Sequence, residues 1–129
     1  MIMVDRTLSF EIEGTPASKG NRRRLVKIRG VSRSVKSPEA QLYARLFTAQ
    51  CPVIHPLLSG PIRLEATIYY PSRRSDLDES LIMDGLQGLV IENDRQIIEK
   101  IIVKRLDPAN PRSIITITEL DGDLEDHDA

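Results

Sequence analysis

Residues 61–70 read PIRLEATIYY. Ile62, Leu64, Ala66 and Ile68 alternate with Arg63, Glu65 and Thr67, the period of two expected of a strand with one buried face. The same pattern recurs on both sides of this stretch. Residues 113–120 (SIITITEL) are rich in β-branched side chains, which suit a pleated, half-buried surface. Residues 97–106, with Ile98, Ile101 and Val103, predict a long strand, and residues 107–111, with two prolines, the turn that follows it. Residues 7–13 (TLSFEIE) alternate Leu8, Phe10 and Ile12 with polar neighbours, and Gly14, Thr15 and Pro16 end that strand. Residues 21–24 read as polar loop and 25–28 as a short strand before Gly30.

Helices fall between these strands. Ser37-Pro38-Glu39 is a helix start, with serine as N-cap and proline at the first helical position. Leu42, Leu46 and Ala49, with Tyr43 and Phe47, supply an apolar stripe, and Pro52 closes the helix. A second, short helix is predicted over residues 77–86, stopped near Gly88, and Glu92-Asn93-Asp94 reads as a turn. The order strand, helix, strand, helix, strand, strand predicts an α/β (α+β) single domain over residues 1–120, with a small mixed β-sheet and two main helices. Residues 121–129 are acidic, lack apolar support and are expected to be a disordered tail.

Composition removes several function classes. With 129 residues, 40% of them hydrophobic and 29% charged, the chain reads as globular. No apolar run approaches the roughly 18 residues of a membrane span, so no membrane role is expected. The start, MIMVDRTLSF, lacks the basic flank and long apolar core of a signal peptide. Cys51 is the sole cysteine, and His55 and His127 are the sole histidines. An intrachain disulfide and a cysteine-built zinc site are excluded, a histidine-built site is disfavoured, and a reducing, cytoplasmic compartment is expected. Residues 14–20 (GTPASKG) order glycine and lysine wrongly for a phosphate loop, and neither histidine has a setting for a serine triad.

The net charge of -1 conceals a split. Eight basic residues and no acid lie between Lys19 and Lys36, whereas six acids and no lysine or arginine lie between Glu119 and Ala129. A basic block on a compact body is the footprint of a phosphate-binding surface, although charge runs also serve as solvated loops.

The chemistry concentrates in residues 73–94. Asp76 and Asp78 stand one residue apart, and in an extended stretch such a pair points one way. Two carboxylates suit a hard divalent cation that retains waters and takes substrate phosphate. Asp94 arrives from a turn before a strand as a third member, and Asp84 is a candidate fourth on the same helical side as Asp76 and Ser80. Helix capping by Asp76 or Asp78 and ordinary turn chemistry at Asn93-Asp94 are the competing explanations. Arg73 and Arg74 precede the acids, and cation-holding acids beside phosphate-holding arginines are what phosphodiester cleavage requires.

The run R73-R74-S75-D76-L77-D78, then D84-G85-L86-Q87-G88, then E92-N93-D94-R95-Q96-I97 resembles the RusA family of Holliday junction resolvases, whose pattern is (R)xDLDN…DAL…G…(D/N)DxQI. Residues 16–23 (PASKGNRR) resemble that family's PPSxNxR-type segment, and Lys104 falls where the family tends to carry a lysine. The resemblance implies a homodimeric endonuclease dependent on Mg²⁺, or on Mn²⁺ in its place. It also implies branched or four-way-junction DNA as substrate, a bacterial, phage or prophage context, and roles in recombination and repair.

Asp76, Asp78 and Asp94 match the family's catalytic, metal-binding acids. Lys19, Asn21, Arg22, Arg23, Arg73, Arg74 and Lys104 are the expected DNA-binding residues. About 30 Å of strand separates Lys104 from Asp94 if the chain runs straight, so Lys104 reaches the acids only across the dimer or after a bend, and is expected instead to grip DNA farther out. Two departures stand out. Glu79 replaces the usual asparagine, and residues 79–83 (ESLIM) contain no counterpart of the family's helix lysine, for which Arg74 or Lys19 is the expected substitute. The alternatives are a catalytically weak or silent DNA-binding relative, and a structural or assembly protein with no metal site.

Overall fold

The computed structural model describes residues 2–4, 6–17 and 23–120. The chain forms strands β1 (Ile2–Val4), β2 (Thr7–Glu13), β3 (Arg23–Ile28) and β4 (Val31–Lys36), helix α1 (Pro38–Gln50) and strand β5 (Ile62–Tyr70). Helix α2 (Ser80–Leu86), a 3-10 turn (Asp94–Gln96) and strands β6 (Ile97–Leu106) and β7 (Arg112–Glu119) follow. The five-stranded sheet has the order β1-β2-β7-β5-β6, with β3 and β4 forming a separate ribbon. β6 runs parallel to β5 and the other pairs are antiparallel, as a crossover through α2 demands. The mixed sheet and two helices match the expected α+β architecture. No helix among the described residues is long and apolar enough to cross a membrane.

The period of two in β5 becomes a sided sheet. Ile62, Leu64, Ala66, Ile68 and Tyr70 are buried on the face that carries the helices, together with Leu8, Ile12, Ile115 and Ile117. The other face carries polar pairs, among them the Ser9 and Thr116 hydroxyls at 3.1 Å and the Arg112 guanidinium 3.9 Å from the Tyr69 ring centroid.

α1 begins as its sequence dictates, with the Ser37 hydroxyl accepting the Ala40 N–H at 3.2 Å and Pro38 in the first turn. Its buried stripe differs from the expected one. Ala40, Tyr43 and Phe47 are buried, while Leu42 and Leu46 are 51% and 37% exposed. The aromatic pair takes the core because Phe47 meets Phe10 edge-on at 6.4 Å and leans over Gly85 of α2. A Cβ on Gly85 would lie 2.4 Å from the Phe47 ring, so glycine is what allows the helices this approach. Cys51 caps the helix end in a buried position, where burial pushes its thiol up to about 12, and it serves as a small packing residue.

The basic stretch also differs from its expected form. Residues 23–36 are a two-stranded ribbon rather than loop followed by a lone short strand. Arg29 and Gly30 both have positive φ (53° and 80°), the type I′ geometry that matches the twist of a two-residue hairpin. Leu25 and Val31 on this ribbon are 77% and 54% exposed.

Candidate active site

The acid-bearing segment leaves the end of β5 and returns as α2. The expected helix over 77–86 is shorter, starting at Ser80. Asp78 explains the difference. Its Oδ1 accepts the Ser80 N–H at 3.0 Å and the Ser80 hydroxyl at 2.6 Å, satisfying the helix start from outside. The capping expected of Asp78 is thus observed at its Oδ1. Asp76 and Asp78 do not share an environment: Asp76 is exposed and Asp78 is 5% exposed. Because the helix starts after Asp76, the expected alignment of Asp76, Ser80 and Asp84 on one helical side is lost. Asp84 is exposed and lines a cleft with Lys36, Ala44 and Thr48 of the preceding ribbon and α1.

Tyr70 organises the segment. Its hydroxyl accepts the Asp78 backbone N–H at 3.2 Å. Burial pushes its phenol above the ordinary range, and the Asp78, Glu79 and Asp76 carboxylates push it further, against the opposing effect of that N–H. Three carboxylates thus act together on one buried hydroxyl. Sequence reading missed Tyr70 because its alternation marks it as an ordinary core position of β5.

Two lysines of β6 face the same segment. In the parallel register Lys100 lies opposite Leu64 and Lys104 opposite Ile68, which places both on the helix-bearing face. Lys100 Nζ pairs with Glu79 at 2.8 Å. Burial pushes the Glu79 carboxyl up, but the Lys100 hydrogen bond, a backbone bond and the Lys100 charge outweigh it and hold the group below its ordinary range. Lys104 Nζ donates to the Arg73 carbonyl at 2.9 Å and to the Ser75 carbonyl, and lies 5.8 Å from the Tyr70 ring centroid. Lys104 therefore clamps the connector that leads into Asp76 rather than standing apart from the acids, because the crossover folds the connector back over β6. Arg73 and Arg74 on this connector are exposed. Among the described residues Arg74 makes no ion pair with Asp76, Asp78 or Asp94, while Lys100 pairs with Glu79 and Lys104 holds the connector before Asp76.

Asp94 opens the 3-10 turn before β6. Ile97 pairs with Ile62, the first residue of β5, whereas the Asp76 segment leaves from Tyr70, the last. α2 bridges the two ends and packs against the 3-10 turn. The turn is held by Gln96, whose side-chain oxygen accepts the N–H groups of Glu92 and Asn93, each at 2.8 Å. Its amide nitrogen donates to the Leu58 and Gly60 carbonyls at 2.8 and 2.9 Å. The glutamine of the NDRQ stretch thus fixes the backbone from which Asp94 projects.

Among the described residues no three His, Cys, Asp or Glu side chains gather into a cation cage. Asp76 and Asp78 are the hard oxygen donors that the head of α2 offers, and one or two carboxylates suffice for a cation that keeps its waters. Lys19, Asn21 and Arg22 lie outside the described residues, and Arg23 opens β3 opposite Lys36.

Fold and site define a small α+β protein in which an acidic segment, clamped by lysines, sits on a sheet with a basic ribbon. The family model of endodeoxyribonuclease RusA matches residues 13–118, and the chain belongs to this family. Endodeoxyribonuclease activity follows from that membership, and the assembly-protein alternative loses its support. No curated protein matches the sequence.

Proposed function

We propose that this protein resolves Holliday junctions or related branched DNA by paired phosphodiester cleavage, acting as a homodimer in a bacterial, phage or prophage setting. The observation that carries the reading is the acid-bearing segment inside the stretch matched by the family, where the Tyr70 hydroxyl ties the Asp78 backbone to the end of β5. Asp76 and Asp78, with Asp94 from the neighbouring turn, are the residues we assign to a divalent cation, Mg²⁺ or Mn²⁺. Asp94 rests on its motif position alone, and Asp84, turned to the α1 cleft, receives no role. When bound, such a cation supplies Lewis-acid stabilisation of charge on the phosphodiester.

The chain's own residues supply the rest. Ser80 fixes the Asp78 carboxylate in orientation. Tyr70 keeps its proton at neutral pH and anchors the Asp78 backbone. Lys104 holds the connector so that Arg73 and Arg74 are presented to the DNA backbone. The β3–β4 ribbon, with Lys27 and Arg29 near its tip, has the dimensions of an element that enters a major groove. Its phosphate contacts would position DNA without specifying sequence.

A second reading, a DNA-binding relative that cuts weakly or not at all, is favoured by one observation. Ile82, in the helix that lacks the family's lysine, is fully buried and offers nothing to a phosphate. Cleavage of a synthetic four-way junction and of a linear duplex, with and without Mg²⁺, separates the readings. Paired nicks in the junction alone support resolution. Binding of the junction with no nick under any cation supports the silent relative.

A further inference from the structure

The acid-bearing segment crosses β6 between two lysines. Lys104 Nζ holds the carbonyls of Arg73 and Ser75, just before Asp76. Lys100 Nζ holds Glu79 Oε2 at 2.8 Å, just after Asp78. Both lysines stand on the helix-bearing face of β6, about 13 Å apart along the strand. Residues 75–79 therefore run antiparallel to β6, and the backbone of Asp76 and Asp78 passes between the two ammonium groups.

The two lysines differ in what they have left to give. An ammonium has three N–H donors and no acceptor. Lys104 spends two on carbonyls and lies 5.8 Å from the Tyr70 ring centroid. Lys100 spends one on Glu79, and its further contact is the Met83 sulfur at 3.9 Å. The ion pair is open on the lysine side, where the side chain is 42% exposed against 21% for Glu79. Along β6, Lys100 comes before Lys104, so it lies nearer to the turn that carries Asp94. α2, with the sequence SLIMDGL, brings no basic side chain of its own.

We infer that Lys100 is a catalytic residue of this protein, its free N–H donating to a non-bridging oxygen of the scissile phosphate. This deepens the proposed function and rests on it. Water supplies the oxygen that bonds to phosphorus and, overall, the proton that ends on the leaving oxygen, as the bond from phosphorus to that oxygen breaks. The ammonium keeps its protons and stabilises the charge that gathers on the non-bridging oxygen. Glu79 fixes the head group beforehand, so the donor needs no reorganisation during the reaction.

Single-turnover cleavage of a four-way junction, at saturating Mg²⁺ and saturating protein, tests the inference beside the junction Kd measured in EDTA. Lys100→Met keeps most of the stem and removes the charge. Cleavage is expected to slow at least about 100-fold, with Kd changed less than about threefold because many other phosphate contacts remain. A lysine that only staples α2 to β6 would lower the thermal unfolding midpoint and leave the cleavage rate of the folded protein alone. Lys100→Cys separates charge from packing within one folded protein. Treatment with 2-bromoethylamine rebuilds an ammonium there on a thioether stem, while the buried Cys51 is shielded. The treated variant should cleave at least about tenfold faster than the untreated one, and wild type treated alike should not change. Folded Lys100→Met cleaving at the wild-type rate would overturn the role of Lys100 and leave the proposed function standing. So would a treated Lys100→Cys no faster than the untreated one, or a loss confined to junction binding. A wild type that cuts no junction would overturn the proposed function and this inference with it.

Discussion

The backbone N–H of Asp78 donates to the Tyr70 hydroxyl at 3.2 Å, and this bond ties the end of β5 to the head of α2. Tyr70→Phe removes the acceptor and leaves the ring. The expected loss is about 1 kcal/mol of folding stability, measured by denaturant unfolding. The pH dependence has a definite sign. Burial, then the neighbouring carboxylates, raise the Tyr70 phenol, so its contribution is fully present below its ordinary value near pH ~10 and is lost as pH rises through the folded value. Tyr70→Phe should therefore be less sensitive than wild type to alkaline unfolding.

Glu79 and Lys100 are coupled in the opposite sense. The lowered Glu79 carboxyl contributes stability above its ordinary value of roughly 4.3, and that contribution is lost as pH falls through the folded value. Lys100→Met should raise the Glu79 pKa, read from its side-chain carboxyl resonance in an NMR titration. The stability difference between wild type and this variant should shrink as pH falls below that range.

Gly85→Ala tests the contact between the helices. Alanine favours a helix, but its methyl group would press on the Phe47 ring, and overpacking of this kind costs about 1–3 kcal/mol. Thermal unfolding should show a lower midpoint. Phe47→Leu in the same chain should recover part of the loss, since the ring edge is what the methyl meets.

Gln96→Ala removes four hydrogen bonds that fix the turn carrying Asp94. The expected cost is about 2 kcal/mol. Faster amide exchange should appear at Glu92 and Asn93 but not at Asp78, whose N–H is held by Tyr70.

β2, β5 and β7 were legible because each alternates one buried and one polar face, and β6 because its β-branched residues lie between two turn signals. Residues 7–13 and 97–106 fold over the ranges their pattern predicts. The ribbon was legible only in part, because its strands carry arginines and serines in place of an apolar face. Arg29-Gly30 is its strongest local signal. The stripe of α1 slipped because Tyr43 and Phe47 weigh more in burial than Leu42 and Leu46, and Gly85 opens a space fitted to a ring. At the site, the spacing of Asp76 and Asp78 did not reveal that one is exposed and the other buried against the start of α2. Nor could Tyr70, Lys100 and the clamp by Lys104 be read, since these depend on how the crossover brings residues 70–80 over β6.

Cleavage of a four-way junction by Asp78→Asn, measured at saturating Mg²⁺ beside junction binding, tests the central claim most directly. Asparagine keeps the shape that accepts from Ser80 but removes the charge. The account predicts junction binding at or above the wild-type level, with cleavage reduced at least about 100-fold. Cleavage by Asp78→Asn at the wild-type rate would contradict it.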